Sequence, residues 1–368
     1  MTARIREQAG KLVHTSTLYP TREMVRYAER LAKLAPGTSP KKCLFTASGT
    51  EADETAVLLA KIHTGQQEII ALRHGYSGRS LTALSLAGQS PWRLVPTQVP
   101  GVKHALAPYC YRCPLGLEYP SCEVRCAQDV DELIKTETNG RPAAFLAEPI
   151  QGVGGFITPP KEYFSIAVGI VRKYGGLFVC DEVQTGFGRT GGTWFGIEHW
   201  GVEPDVITLA KSIANGFPVG ATIARADVAD SWKGLQISTF GGGPLAMAAA
   251  DATLDVMQKE DVPKRSADRG ARLRARLDAM KAKHAFLGDV RGMGLMQALE
   301  LVEDRKTKEP SPKKTLALLE AAKRRGLLLG KGGLHGNVIR IAPSMLATEA
   351  EIDEGASRLE KALSEVGR

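Results

Sequence analysis

Short apolar runs alternate with stretches of helical spacing through the middle of the chain. "QEIIAL" (67–72), "AAFLAEP" (143–149), "GLFVCDEV" (176–183) and "DVITLAK" (205–211) read as buried strands. Between the second and third, "KEYFSIAVGIVRKYGG" (161–176) repeats its apolar residues at helical spacing and closes on a glycine C-cap. That alternation predicts an α/β domain on a mostly parallel central sheet flanked by helices. Beyond about residue 240 the pattern changes to Ala- and Leu-rich helical stretches, 244–258 and 265–284. Strand-like "GDVRGMGLMQALEL" (288–301) and "NVIRIAP" (337–343) follow. A smaller α+β C-terminal domain is therefore expected. The division expected is a residual N-terminal segment 1–38, a large domain 39–250 and a small domain 251–368.

Composition adds limits. The 368 residues are 43% hydrophobic and 24% charged, which is ordinary globular usage with material for a large core. The net charge of +8 is spread and interleaved with acids, as in "KKTLALLEAAKRRG" (313–326), the pattern of a solvated helix face. No basic strand carries the aromatic residues that stack bases, so no nucleic-acid partner is expected. No apolar run reaches membrane-span length, and "MTARIREQAGKLVH" lacks the apolar core of a signal peptide. A cytoplasmic protein with no membrane partner is expected.

Four of the six cysteines crowd into "CYRCPLGLEYPSCEVRC": Cys110, Cys113, Cys122 and Cys126. Their C-x2-C and C-x3-C spacing suits a tetrahedral zinc site on a surface excursion. It equally suits a loop whose thiols simply pack as small hydrophobes.

Ligands of open α/β sheets sit at the carboxyl ends of strands, and several chemically active residues fall there. Glu148 follows "AAFLA", Asp181 and Glu182 follow "GLFVC", and Lys211 follows "DVITLA". Lys211 is either solvated or an amine nucleophile, which needs a desolvated position to shed its proton. Asp181 either caps a local turn or holds a pyridine nitrogen protonated, the lysine-plus-carboxylate pairing of pyridoxal phosphate (PLP) sites. "FTASGTEADETAVLLAK" (45–61) runs from small polar residues into a helix. Gly49 and Thr50 stand where first-turn N–H groups can seat a phosphate; a plain capping box on Ser48 or Thr50 is the other reading.

Taken together, these pieces resemble the class III PLP-dependent aminotransferases of fold type I. "SGTEA" (48–52), "GYSGRS" (75–80), "EPIQGVGG" (148–155), "CDEVQTGFGRTG" (180–191), "LAKSIANGFPVGA" (209–221), "STFGGGPLAMAAA" (238–250), "RGMGLM" (291–296) and "IRIAP" (339–343) match in order, across nearly the whole chain. The resemblance makes Lys211 the Schiff-base lysine and general base, with Asp181 the partner of the ring nitrogen. It implies that Val183 and Tyr76 pack on the two ring faces and that Gln184 bonds the ring hydroxyl. Gly49 and Thr50 would hold the phosphate, which Thr239 would reach from a neighbouring subunit. A homodimer with shared sites follows, extensible to a tetramer. Arg340 would grip a substrate carboxylate.

Two departures from the family pattern stand out. Members usually carry several dozen residues before the counterpart of "IREQAGKLVHTS". Many that act on ω-amino groups also place an acid after "EPIQG", where this chain has Val153. Arg340 then stays available for an acid substrate. The resemblance thus implies a transaminase of the alanine–glyoxylate or amino acid:pyruvate type, moving an amino group from an amino acid or amine to a 2-oxo acid. The alternatives are another PLP reaction on the same fold, decarboxylation or amino-group migration, and a catalytically weak shortened homologue.

Overall fold

Four of the strands fall where an apolar side chain is wanted on both faces at once. The computed structural model describes residues 1–95 and 98–367 and has two units. The first comprises Met1–Pro149, Pro159–Phe187 and Trp194–Lys259; the second comprises Ile150–Thr158, Gly188–Thr193 and Glu260–Arg368.

In the first unit, Lys41–Thr46 (β1), Ile69–Leu72 (β2), Val102–Ala105 (β3), Ala144–Ala147 (β4), Leu177–Asp181 (β5), Val206–Leu209 (β6) and Gly220–Arg225 (β7) form one sheet of order β1-β7-β6-β5-β4-β2-β3. The neighbours from β3 to β6 are parallel, while β7 runs antiparallel to both β6 and β1. The sheet is therefore mostly parallel. β2, β4, β5 and β6 are buried at every position, which is why they read as unbroken apolar runs and not as alternating ones. Phe145 and Phe178 stack at 5.9 Å, and Phe164 of the helix Tyr163–Lys173 meets Phe178 at 5.7 Å. Each such ring contributes about 1.5–3 kcal/mol by leaving water.

β1, β3 and β7 escape the hydrophobic pattern for separate reasons. "KKCLFT" opens with two lysines, "VKHA" is short and half exposed, and "GATIAR" begins on a glycine.

In the second unit, Leu287–Met293 (β8), Met296–Leu301 (β9), Gly330–Gly332 (β10) and Val338–Ile341 (β11) form an antiparallel sheet of order β10-β11-β9-β8. The helices Val262–Lys283, Pro312–Arg324 and Glu349–Val366 pack on it through Leu273, Leu277, Leu299, Leu318, Ile339 and Leu359. Its two short segments are tied in locally. The Arg291 guanidinium donates to the Gly155 carbonyl at 2.9 Å, and Arg189 donates to the carbonyls of Leu295 and Pro343 at 3.2 and 2.6 Å. Among the described residues no helix is long and apolar enough to cross a membrane.

Candidate active site

Because β1 and β6 both run against β7, the carboxyl ends of β1, β2, β4, β5 and β6 reach the edge where β7 begins. A cavity of about 380 Å³ lies there, wholly within the first unit. Gly49, Thr50, Tyr76, Asp181, Val183, Gln184 and Lys211 all line it, as does Glu148. The strand-end residues thus converge.

Lys211 follows β6 directly and takes a left-handed backbone, φ 45°, which costs a side chain with a Cβ of the order of 1 kcal/mol. The following turn holds it there: the Ile213 N–H donates to the Ala210 carbonyl at 3.2 Å, and the buried Tyr27 hydroxyl donates to the Ile213 carbonyl at 3.3 Å.

Asp181 and Glu182 are adjacent, and the end of β5 sends them to different places. Asp181 is 3% exposed, lines the cavity and accepts from the Val183 N–H at 2.9 Å. Burial pushes its pKa up, and the Val183 N–H and the Lys211 charge oppose that. Glu182 instead accepts from the Thr185 hydroxyl and from the N–H groups of Gly196 and Ile197, at 2.9 and 2.8 Å for the latter two. Burial raises it to about 7 against those bonds. Those three donors hold it in the fold, and it does not line the cavity.

The start of the helix Gly49–Thr64 forms another part of the cavity wall. The Ser48 hydroxyl caps it by accepting from the Glu51 N–H at 3.3 Å, and the Ala52 N–H bonds the Ser48 carbonyl at 3.1 Å. Helix geometry gives the Gly49 and Thr50 N–H groups no partner within the helix. The segment is a capped helix, and Gly49 and Thr50 of its first turn line the cavity. Gly78 comes so close to Thr50 that a Cβ would lie 2.1 Å from its Oγ1, and its φ of 128° also demands glycine.

Two expected residues lie elsewhere. Thr239 sits in an exposed stretch before the helix Pro244–Lys259 and does not line the cavity. Arg340 belongs to the second unit, on β11, where its Nη1 donates to the Gly152 carbonyl at 3.3 Å and its guanidinium lies 5.7 Å from the Phe156 ring centre. Asp53, Ser77 and Phe217 also line the cavity and went unremarked in the sequence. For Asp53 a signal was present: an acid on the apolar face of its helix, beside Ala52, Ala56 and Val57, all buried.

The four cysteines line a separate, smaller cavity with Tyr119 and Pro160. None of the six cysteines is in a disulfide. The zinc reading finds no ligand set: among the described residues, no three His, Cys, Asp or Glu are placed to hold a metal ion.

A sheet of this order, with an amine, a buried carboxylate and a helix start meeting at one edge, has the donor set a phosphorylated pyridine aldehyde needs, and the architecture is that of a PLP-dependent transferase. The family model for class III aminotransferases matches residues 1–363. The chain is 42% identical over 347 residues to alanine–glyoxylate aminotransferase 2 homolog 2, mitochondrial, of Arabidopsis thaliana, covering 94% of this chain and 71% of that one. It is 37% identical to the leucine/methionine racemase of Thermococcus litoralis, over 98% of this chain and 82% of the relative. An amine transaminase from an uncultivated Pseudomonas species, solved in its PLP-bound form, superposes with a TM-score of 0.92 at 32% identity, covering 100% of this chain and 86% of that one. The chain belongs to the class III aminotransferases; it is an enzyme, and its reaction is PLP-dependent transamination.

Proposed function

We propose that the enzyme moves an amino group from an amino acid or amine donor to a small 2-oxo acid, pyruvate or glyoxylate, and that it works as a homodimer. The observation that carries this reading is the convergence of Lys211, Asp181 and the start of the helix Gly49–Thr64 on one cavity.

Bound PLP supplies an electron sink for the charge left when the donor carbon loses its proton. The Lys211 Nζ would anchor the cofactor and would serve as the general base for that proton, a contribution of about 10²–10⁴-fold. The Asp181 carboxylate holds a proton on the ring nitrogen. Val183 and Tyr76 would hold the ring and exclude water, and Gln184 would bond its hydroxyl; all three line the cavity. The N–H groups of Gly49 and Thr50 hold the phosphate, where unpaired amides and the helix dipole both favour an anion.

Arg340 is the proposed carboxylate grip, a fork suited to two parallel hydrogen bonds. The turn that touches it carries Val153, whose side chain does not compete with a substrate carboxylate for the guanidinium. This favours acid substrates. The dimer is supported by the stretch containing Thr239, which exposes Leu235, Ile237 and Phe240 together. In such a dimer Thr239 would hold the phosphate bound by the other subunit.

The test is a visible absorbance spectrum of the purified protein with PLP, before and after L-alanine, followed by a pyruvate assay with glyoxylate as acceptor. A visible band that L-alanine shifts into the near ultraviolet, with pyruvate released, supports the reading. No band with PLP sinks the site; a band that every amino acid tested leaves unchanged sinks the substrate class.

A further inference from the structure

The cavity holds a second buried carboxyl group that the roles above leave unused. Asp53 is 1% exposed, lines the cavity one helical turn beyond Gly49, and accepts from the Thr208 hydroxyl at 2.6 Å. Thr208 lies on β6 directly opposite Asp181 on β5, so the helix presses Asp53 against that strand pair. Asp53 and Asp181 thus line one cavity on either side of Thr208, and a side-chain hydrogen bond with Asp53 acts to lower the pKa of Asp181.

Ionised carboxylates only accept, so a bond between two of them requires one proton. Two like charges in contact inside a protein cannot both persist either. The surroundings decide which group holds the proton. Asp181 receives the Val183 N–H and faces the Lys211 charge, both of which favour its anion. Asp53 also receives a donor, the Thr208 hydroxyl, but it faces the charges of Asp181 and Glu148, and Lys211 acts on it least. Burial and then the Asp181 charge push Asp53 well above the usual carboxylate range.

We propose that Asp53 is a positioning residue that carries the single proton of this pair and donates it in a hydrogen bond to Asp181. The inference rests on Asp181 being the partner of the ring nitrogen. With Asp53 neutral, the pair bears one negative charge, and that charge sits on the group facing the cofactor. The bond also fixes the plane of the Asp181 carboxylate. Were the proton on Asp181 instead, the ring nitrogen would meet a neutral acid and lose its ionic partner.

Two variants and one spectrum test this. In cofactor-free protein at neutral pH, the infrared difference between wild type and Asp53→Asn should show a carboxylic-acid carbonyl band lost in the variant. A carboxylate band lost in its place overturns the proposal. Asp53→Asn keeps a neutral donor, so PLP affinity should stay near that of wild type, whereas Asp53→Leu removes the donor and should weaken PLP binding about tenfold, as for a bond to a charged group. Circular dichroism confirms that each variant is folded. Equal losses in Asn and Leu would mean that an ionised Asp53 was needed, and no loss in Leu would mean that the bond does nothing; either overturns the proposal. Failure of the underlying site reading is distinct: wild type itself would then show no visible band with PLP, whatever the infrared difference.

Discussion

The cavity at the strand ends and the cavity under the four cysteines both collect titratable groups from segments that stand out in the sequence. They differ in what the groups do to one another. At the strand ends a lysine, two carboxyl groups and a helix start line one cavity, so that groups of both charge signs act on one another, each fixed to a strand end or a helix turn. Under the cysteines four like groups crowd together: burial, and then the other three thiols, push Cys126 up to about 12. A thiol held protonated is a poor nucleophile. Clustering in sequence is therefore a poor guide to reactivity. Convergence of unlike groups on rigid elements is a better one.

The comparison breaks most directly at Lys211. Lys211→Ala should lose at least about 10³-fold in transamination, measured as pyruvate released from L-alanine and glyoxylate; full activity would remove the strand-end cavity from the chemistry. Asp181→Asn keeps the shape and removes the charge, and kcat should fall about 10²-fold, the usual scale for a lost preorganised electrostatic contact.

Glu182 sharpens the contrast from beside the site. Glu182→Gln sets an amide N–H against backbone donors, so the melting transition should report a loss of about 1–3 kcal/mol, while the folded enzyme keeps its turnover. The pH response has a definite sign. The folded-state pKa of about 7 lies above the unfolded value, so between roughly pH 4.5 and 7 the folded state binds more protons and stability falls as pH rises. Urea midpoints across that window should fall less steeply in the variant.

The smallest effect is expected at the other cavity. Cys126→Ala should cost about 1 kcal/mol for the packing atom removed, with transamination within about twofold of wild type. A loss of activity comparable to that of Asp181→Asn would erase the difference between the two cavities.

Much of this was legible beforehand. β2, β4, β5 and β6 read correctly because burial on both faces leaves unbroken apolar runs, and Lys211, Asp181 and Glu148 could be placed at their ends by counting. β7 could not be seen, since a glycine opens it and the sheet neighbours that bury it are supplied by β1 and β6. Asp53 was visible as an acid on an apolar helix face. Its partner was not, because the contact with Asp181 depends on how the helix lies against β5 and β6. Arg340 had no local signal at all: on periodicity it is one more residue of a strand, and only the family resemblance singles it out.

The interleaving of the two units has a consequence for synthesis. Residues 150–158 and 188–193 belong with the second unit yet leave the ribosome far ahead of 260–368. Gly155 must wait for Arg291 to take its carbonyl and for Val338 to pack where its Cβ would be. The nascent chain therefore carries two unfinished loops out of its own first unit while the rest is translated. A C-terminal fragment made alone would lack both, so the second unit is not a portable module that can be grafted or expressed by cutting the gene once.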